Sequence, residues 1–81
     1  MGYNKSDDFL IAFGQNLERF RKSSGYSTRD LEYDGVGITR SYYQKAAKGK
    51  HAITIDKVFL LAKAFGVTPD KLFIDENGTP I

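Results

Sequence analysis

The stretch "TRSYYQKAAKGKH", residues 39–51, sets two tyrosines and two alanines among arginine, serine, glutamine and lysines, with no acidic side chain in it. On a helical wheel with Arg40 at zero, Gln44 falls near about 40°, Lys48 near 80°, Ser41 near 100° and Lys45 near 140°. Tyr42, Ala46, Tyr43 and Ala47 fall between about 200° and 340°. One arc therefore holds only donors and cations, and the other holds rings and methyls. The apolar arc is expected to pack inward, with the alanines letting the helix lie close. Tyr42, nearer the edge, is expected to keep its hydroxyl in water or on a phosphate. The polar arc offers the side chains that hydrogen-bond base edges and phosphates.

Working outward, Thr39 is placed to cap this helix, which should run to about Lys48 and end at Gly49. Upstream, Ser27 followed by Asp30 resembles a capping box and opens a short second helix that "DGVG", residues 34–37, should break. A first helix is expected over about residues 8–23. Phe9, Phe13, Leu17 and Phe20 recur there at three- and four-residue steps, Asp7 or Asp8 stands at the N-cap, and Gly25 at the stop. Downstream, Thr54 precedes a stripe of Ile55, Val58, Leu61, Ala62 and Phe65, which Gly66 ends. Thr68 and Pro69 then suit the start of a last helix. The expectation is an all-α bundle of about five short helices. Residues 1–7, with Tyr3, read as an N-terminal arm, residues 8–74 as the folded domain, and residues 75–81 as a frayed tail.

Composition narrows the function. At 81 residues the chain has room for one small core and little space for a deep catalytic cleft. There is no cysteine and one histidine, His51, so neither a disulfide framework nor a zinc site of ordinary ligand number is expected. No cofactor is implied, and the serines sit at caps rather than on a nucleophile elbow, so catalysis is not expected. No signal peptide or membrane-spanning stretch is visible, which points to a cytoplasmic protein without a membrane partner. Net charge is only +2, but residues 19–50 carry eight bases against three acids, a surplus of five. A basic segment in a near-neutral chain suggests one face made for a polyanion.

A short helix, a glycine-containing turn and a second helix with such a face is the geometry of a helix-turn-helix reader of DNA. "FGQNLERFRKSSGYSTRDL" followed by "GITRSYYQKAAKGKHAITIDKVFLLAKAFGVTPDKLF" resembles the Cro/XRE-type helix-turn-helix (lambda repressor-like) family of repressors. The resemblance covers about residues 13–74 and rests on an ordered set of spacings. By position it implies base contacts from Arg40, Ser41, Gln44 and Lys45. It implies phosphate contacts from Thr28 at the start of the second helix, with Arg29, and from Lys48, Lys50 and His51 beyond the recognition helix. Thr39 and Tyr42 flank that helix and join the phosphate set. Family members often dimerise through the last helix, which points to Leu72, Phe73 and Ile74 as an interface. The implied function is a sequence-specific, double-stranded-DNA-binding transcriptional regulator, a repressor acting as a homodimer.

Three features depart from the pattern. Thr28 stands where glutamine is common, and the stretch from Leu31 to Gly37 is one residue longer than usual. Ala47 replaces a glutamate that pairs with the arginine represented here by Arg21, so Arg21 needs another partner, with Asp30, Glu32 or DNA itself as candidates. These departures keep a second reading open: an antitoxin, or a protein-interaction module on the same fold with a toxin-like partner and weak or no DNA binding.

Overall fold

In the computed structural model, which describes residues 6–33 and 36–81, the chain forms α1 (Ser6–Ser24), α2 (Thr28–Tyr33), α3 (Arg40–Ala47) and α4 (Ile55–Phe65). A 3₁₀ helix, Pro69–Phe73, closes the bundle. The architecture is all-helical among the described residues, with four α-helices instead of five. The last element has only five residues, and Ile74 leaves it in extended conformation after its N–H bonds to Lys71 in a three-residue step.

Local chemistry accounts for the element ends. The capping box forms with aspartate in place of glutamate: Ser27 N–H donates to Asp30 Oδ2 at 3.0 Å, and Asp30 N–H donates to Ser27 Oγ at 3.1 Å. Thr39 caps α3 by accepting from Tyr42 N–H at 3.2 Å. Helices α3 and α4 both end in Schellman motifs. Gly49 and Gly66 take positive φ there, and Lys50 and Val67 donate back to Lys45 and Ala62. The start of α1 differs from expectation. The helix begins at Ser6, so positions 7 and 8 lie inside its first turn rather than at the cap. Residues 1–5 of the expected arm, Tyr3 among them, and the expected helix breakers Asp34 and Gly35 lie outside the described residues.

Leu17, Leu31, Ile38, Tyr43, Leu61 and Leu72 are fully buried, with Phe13, Ala46, Val58, Ala62 and Phe65 completing the core. Phe20 lies half-buried against it, and Phe9 stacks at its margin on Phe73, ring centroids 6.4 Å apart. Two expectations fail here. Leu72 points into the core, so it belongs to no surface interface, whereas Phe73 and Ile74 are half-buried. Ile55, placed in the inward stripe of α4, is 74% exposed.

The C-terminal residues are not frayed. Asp75 Oδ1 accepts the N–H groups of Asn77 and Thr79, both at 2.9 Å, and Gly78 supplies the positive φ of the turn. Ile74 then pairs with Pro80, and Ile81 N–H donates to Phe73 O. Helix α1 holds this return from below. Asn16, buried to 3% exposure, donates to Leu72 O at 2.9 Å, and Arg19 donates to Ile74 O at 2.8 Å. The packed unit thus extends to Ile81 at its C-terminal side.

What places α3 is its approach to α1 at Gly14. A β-carbon there would lie 2.7 Å from the Ala46 carbonyl oxygen and closer still to that of Ala47. Helix propensity alone would make Gly14→Ala stabilising by about 1 kcal/mol. The contact reverses the sign, because neither backbone carbonyl can rotate away. Gly14→Ala is expected to destabilise by roughly 1–3 kcal/mol, read as a lower urea midpoint at unchanged slope.

Candidate nucleic-acid interface

Helix α3 divides as its wheel requires. Tyr43 and Ala46 are buried, Tyr42 and Ala47 half-buried, and Arg40, Ser41, Gln44 and Lys45 exposed. The Schellman turn folds the chain back beside the helix end. Ser41, Gln44, Lys45, Lys48, Lys50 and His51 therefore line one shallow open groove. Arg40 stands at the other end of the helix, outside that groove. The only ion pair among the described residues joins Arg21 to Glu18, so no described acid pairs with Arg40, Lys45, Lys48 or Lys50.

The flanking residues differ in how free they are. Thr28 begins α2 and is half-buried; Arg29 is exposed, its guanidinium 5.8 Å from the centre of the Tyr33 ring. The Thr39 hydroxyl oxygen is occupied by its cap. Tyr42 is not simply a solvent-facing phenol. Its oxygen accepts the Thr54 N–H at 3.4 Å, and its ring meets His51 edge-on at 5.0 Å, which ties α3 to the start of α4. His51 Nδ1 lies 2.8 Å from the Ala52 carbonyl; with the proton assigned to that nitrogen, Nε2 is the ring's remaining polar atom.

Arg21 has a partner that the sequence reading did not name. Its Nε donates to Glu18 Oε2 at 2.8 Å and its Nη1 to Tyr26 O at 2.6 Å, while neither Asp30 nor Glu32 is involved. The Tyr43 hydroxyl donates to the same Glu18 Oε2 at 2.7 Å. Glu18 thus takes up the arginine left over by Ala47 and adds a bond to α3. The spacing of Glu18 and Arg21, three residues apart on one helix, was a visible signal; the contact with Tyr43 was not. The Arg21 guanidinium holds the Glu18 carboxyl below its usual value of 4.5 despite desolvation. Burial, reinforced by Glu18, pushes the Tyr43 phenol well up, so it remains a donor throughout the stable range. Arg19 and Arg21 are both spent inside the fold and add nothing to the basic face.

A lowered carboxyl pKa in the folded state stabilises fully above the unfolded value and is lost as pH falls through the folded one. Glu18→Gln should therefore be less stable than the parent at pH 6–7. The gap should narrow as pH drops below about 4.5, which urea midpoints across that range will measure.

Comparison with known proteins agrees with this geometry. A helix-turn-helix family model (HTH_3) matches residues 17–72. The control protein C.MunI of Mycoplasma sp is 25% identical over 69 residues, covering 85% of this chain and 93% of its own. The solved restriction-modification controller C.AhdI of Aeromonas hydrophila superposes with a TM-score of 0.73 at 31% identity, covering 79% of this chain and 96% of that one. A hypothetical transcription factor, NHTF from Neisseria, superposes at 0.76 with 21% identity over 95% of this chain and 87% of its own, a likeness of fold alone. No helix among the described residues is long and apolar enough to cross a membrane. With the acid-free outer face of α3, its glycine-ended cap and the Leu17-to-Leu72 core all inside the matched span, the chain belongs to the Cro/C1-type helix-turn-helix family of DNA-binding transcription regulators.

Proposed function

We propose that the chain is a repressor-type controller that sets α3 into the major groove of a palindromic operator as a homodimer. The observation that carries the reading is the outer arc of α3, where four exposed donor side chains stand without a single acid. Arg40 suits a guanine through bidentate bonds, Ser41 and Gln44 suit neighbouring bases, and Lys45 suits a guanine or a phosphate. Thr28, Arg29, Thr39, Lys48, Lys50 and His51 then serve the sugar-phosphate backbone, with Tyr42 bracing the helix end beside them. The likeness to the restriction-modification controller C.AhdI, and to the control protein C.MunI, favours a role in controlling restriction-modification genes over an antitoxin role.

The dimer contact in this reading centres on α4 and takes in Phe73 of the last helix, while the buried Leu72 stays out of it. Ile55 and Phe59 are exposed one turn apart on α4, at 74% and 64%. Ile55 also lines an apolar groove with Phe9, Phe13, Ile53 and Phe73. Two copies joined there would cover this apolar surface, and a palindromic operator calls for two α3 helices at half-sites about 34 Å apart.

Selection from a randomised duplex pool, followed by anisotropy titrations across a salt series, tests the reading. The expected result is a palindromic motif and affinity that falls steeply with salt. No enrichment, with weak binding even at low salt, would end it. On the selected site, Arg40→Ala should lose about 1–3 kcal/mol and relax choice at one base position, whereas an equal loss on all duplexes would make Arg40 a phosphate contact. Phe59→Asp should convert the dimer to monomer in sedimentation equilibrium without unfolding the chain.

A further inference from the structure

We infer that the hydrogen-bonded chain Tyr43–Glu18–Arg21–Tyr26 is a positioning device that sets the roll of α3 about its own axis, and so decides how sharply the protein discriminates between DNA sequences. The inference rests on the reading of α3 as the helix that meets DNA.

The apolar contacts of α3 fix its distance from α1 better than its rotation. At the crossing, the backbone carbonyls of Ala46 and Ala47 lie against Gly14, and a glycine with no side chain offers nothing that interlocks with them to oppose rolling. Nor does the connection from α2 supply that restraint through regular structure: residues 36–39 are irregular, and Gly37 takes a positive φ of 81°. Ile38 is buried and Thr39 caps the helix, which anchors its start but leaves rotation to side chains farther along. Tyr42 contributes on one flank through a long 3.4 Å bond.

Tyr43 is the longest lever on the inward face, and its tip ends in a directional bond of 2.7 Å to Glu18. Glu18 is itself held from the far side, since Arg21 grips both of its oxygens, at 2.8 and 3.2 Å. Arg21 is fixed in turn by the Tyr26 carbonyl at 2.6 Å, in the loop that leads into α2. The chain of bonds therefore joins α3, α1 and the entry to α2 through three charge-assisted contacts, a shorter and stronger class of hydrogen bond, to which the two-pronged grip of Arg21 on Glu18 adds geometric specificity. Side chains reach about 5–6 Å from a helix axis, so a roll of about 10–20° would carry Gln44 and Lys45 through about 1–2 Å. That displacement exceeds what a hydrogen bond to a base edge tolerates. It matters far less to lysines attracted to a phosphate, because Coulomb attraction changes slowly with distance.

The test separates aim from stability. Tyr43→Phe keeps the ring and removes only the hydroxyl; Glu18→Ala removes the acceptor; the double variant removes both. Each is titrated against the selected duplex and against a random duplex, at a temperature where circular dichroism finds all four proteins folded. The expected result is a loss on the order of tenfold on the selected duplex, comparable to one mismatched base pair, with affinity for random DNA retained. The double variant should lose no more than the worse single one, because Glu18→Ala already removes the bond that Tyr43→Phe breaks. Equal losses on both duplexes, no loss, or additive losses would overturn the positioning role and leave the DNA-reading assignment intact. A parent protein that itself prefers no sequence would overturn that assignment and the inference together.

Discussion

The approach of α1 and α3 at Gly14 is the constraint on which the rest depends. Only a residue without a β-carbon admits the carbonyls of Ala46 and Ala47 so close, and only small residues on α3 can use that space. Because the helices lie this near, the Tyr43 ring is buried instead of splayed, and its hydroxyl meets a carboxylate on the opposing helix. The same closeness turns every polar residue of α3 outward. A larger residue at 14 would alter the aim of the helix before it altered the composition of the core.

Charge is sorted as sharply as bulk. Of the bases in the middle of the chain, Arg19 and Arg21 become internal fasteners, one on the C-terminal return and one on Glu18. Their fixed, planar donors suit backbone carbonyls and a carboxylate. The lysines, with flexible stems and compact charges, remain at the surface, and Lys45, Lys48 and Lys50 gather where α3 ends. Their position also suits the negative end of the helix dipole, so local stability and an outward positive field are served by the same side chains.

How much of this could be read from the sequence depends on the range of the interaction. The division of α3 was legible because its period and chemistry coincide within eight residues. Ser27, Thr39, Gly49 and Gly66 were legible because caps are local. Glu18 and Tyr43 lie 25 residues apart, and nothing near either one announces the other. Leu72 and Ile55 were exchanged between surface and core because apolar residues near element ends look alike until neighbouring elements are placed. Residues 75–81 read as frayed from their glycine and polar content, yet Asp75 builds their turn, and Asn16 and Arg19, more than fifty residues away, hold its base. The donor set on α3 was likewise readable as a set, whereas the bracing of Tyr42 by Thr54 and His51 required the turn after α3 to be seen in space.

The length of α3 carries an informational consequence. Eight residues rise about 12 Å, which matches only about four base-pair steps of DNA. A word of four bases recurs by chance roughly once in every 256 positions, too often to single out one locus among the million or more sites of a bacterial chromosome. Two such words at fixed separation recur roughly once in 65,000 positions, and sequence-dependent bending of the intervening duplex narrows the choice further. A helix this short can therefore act as one half of an address, and under the proposed pairing through α4 that apolar face would determine which DNA is occupied as much as the side chains that would touch it.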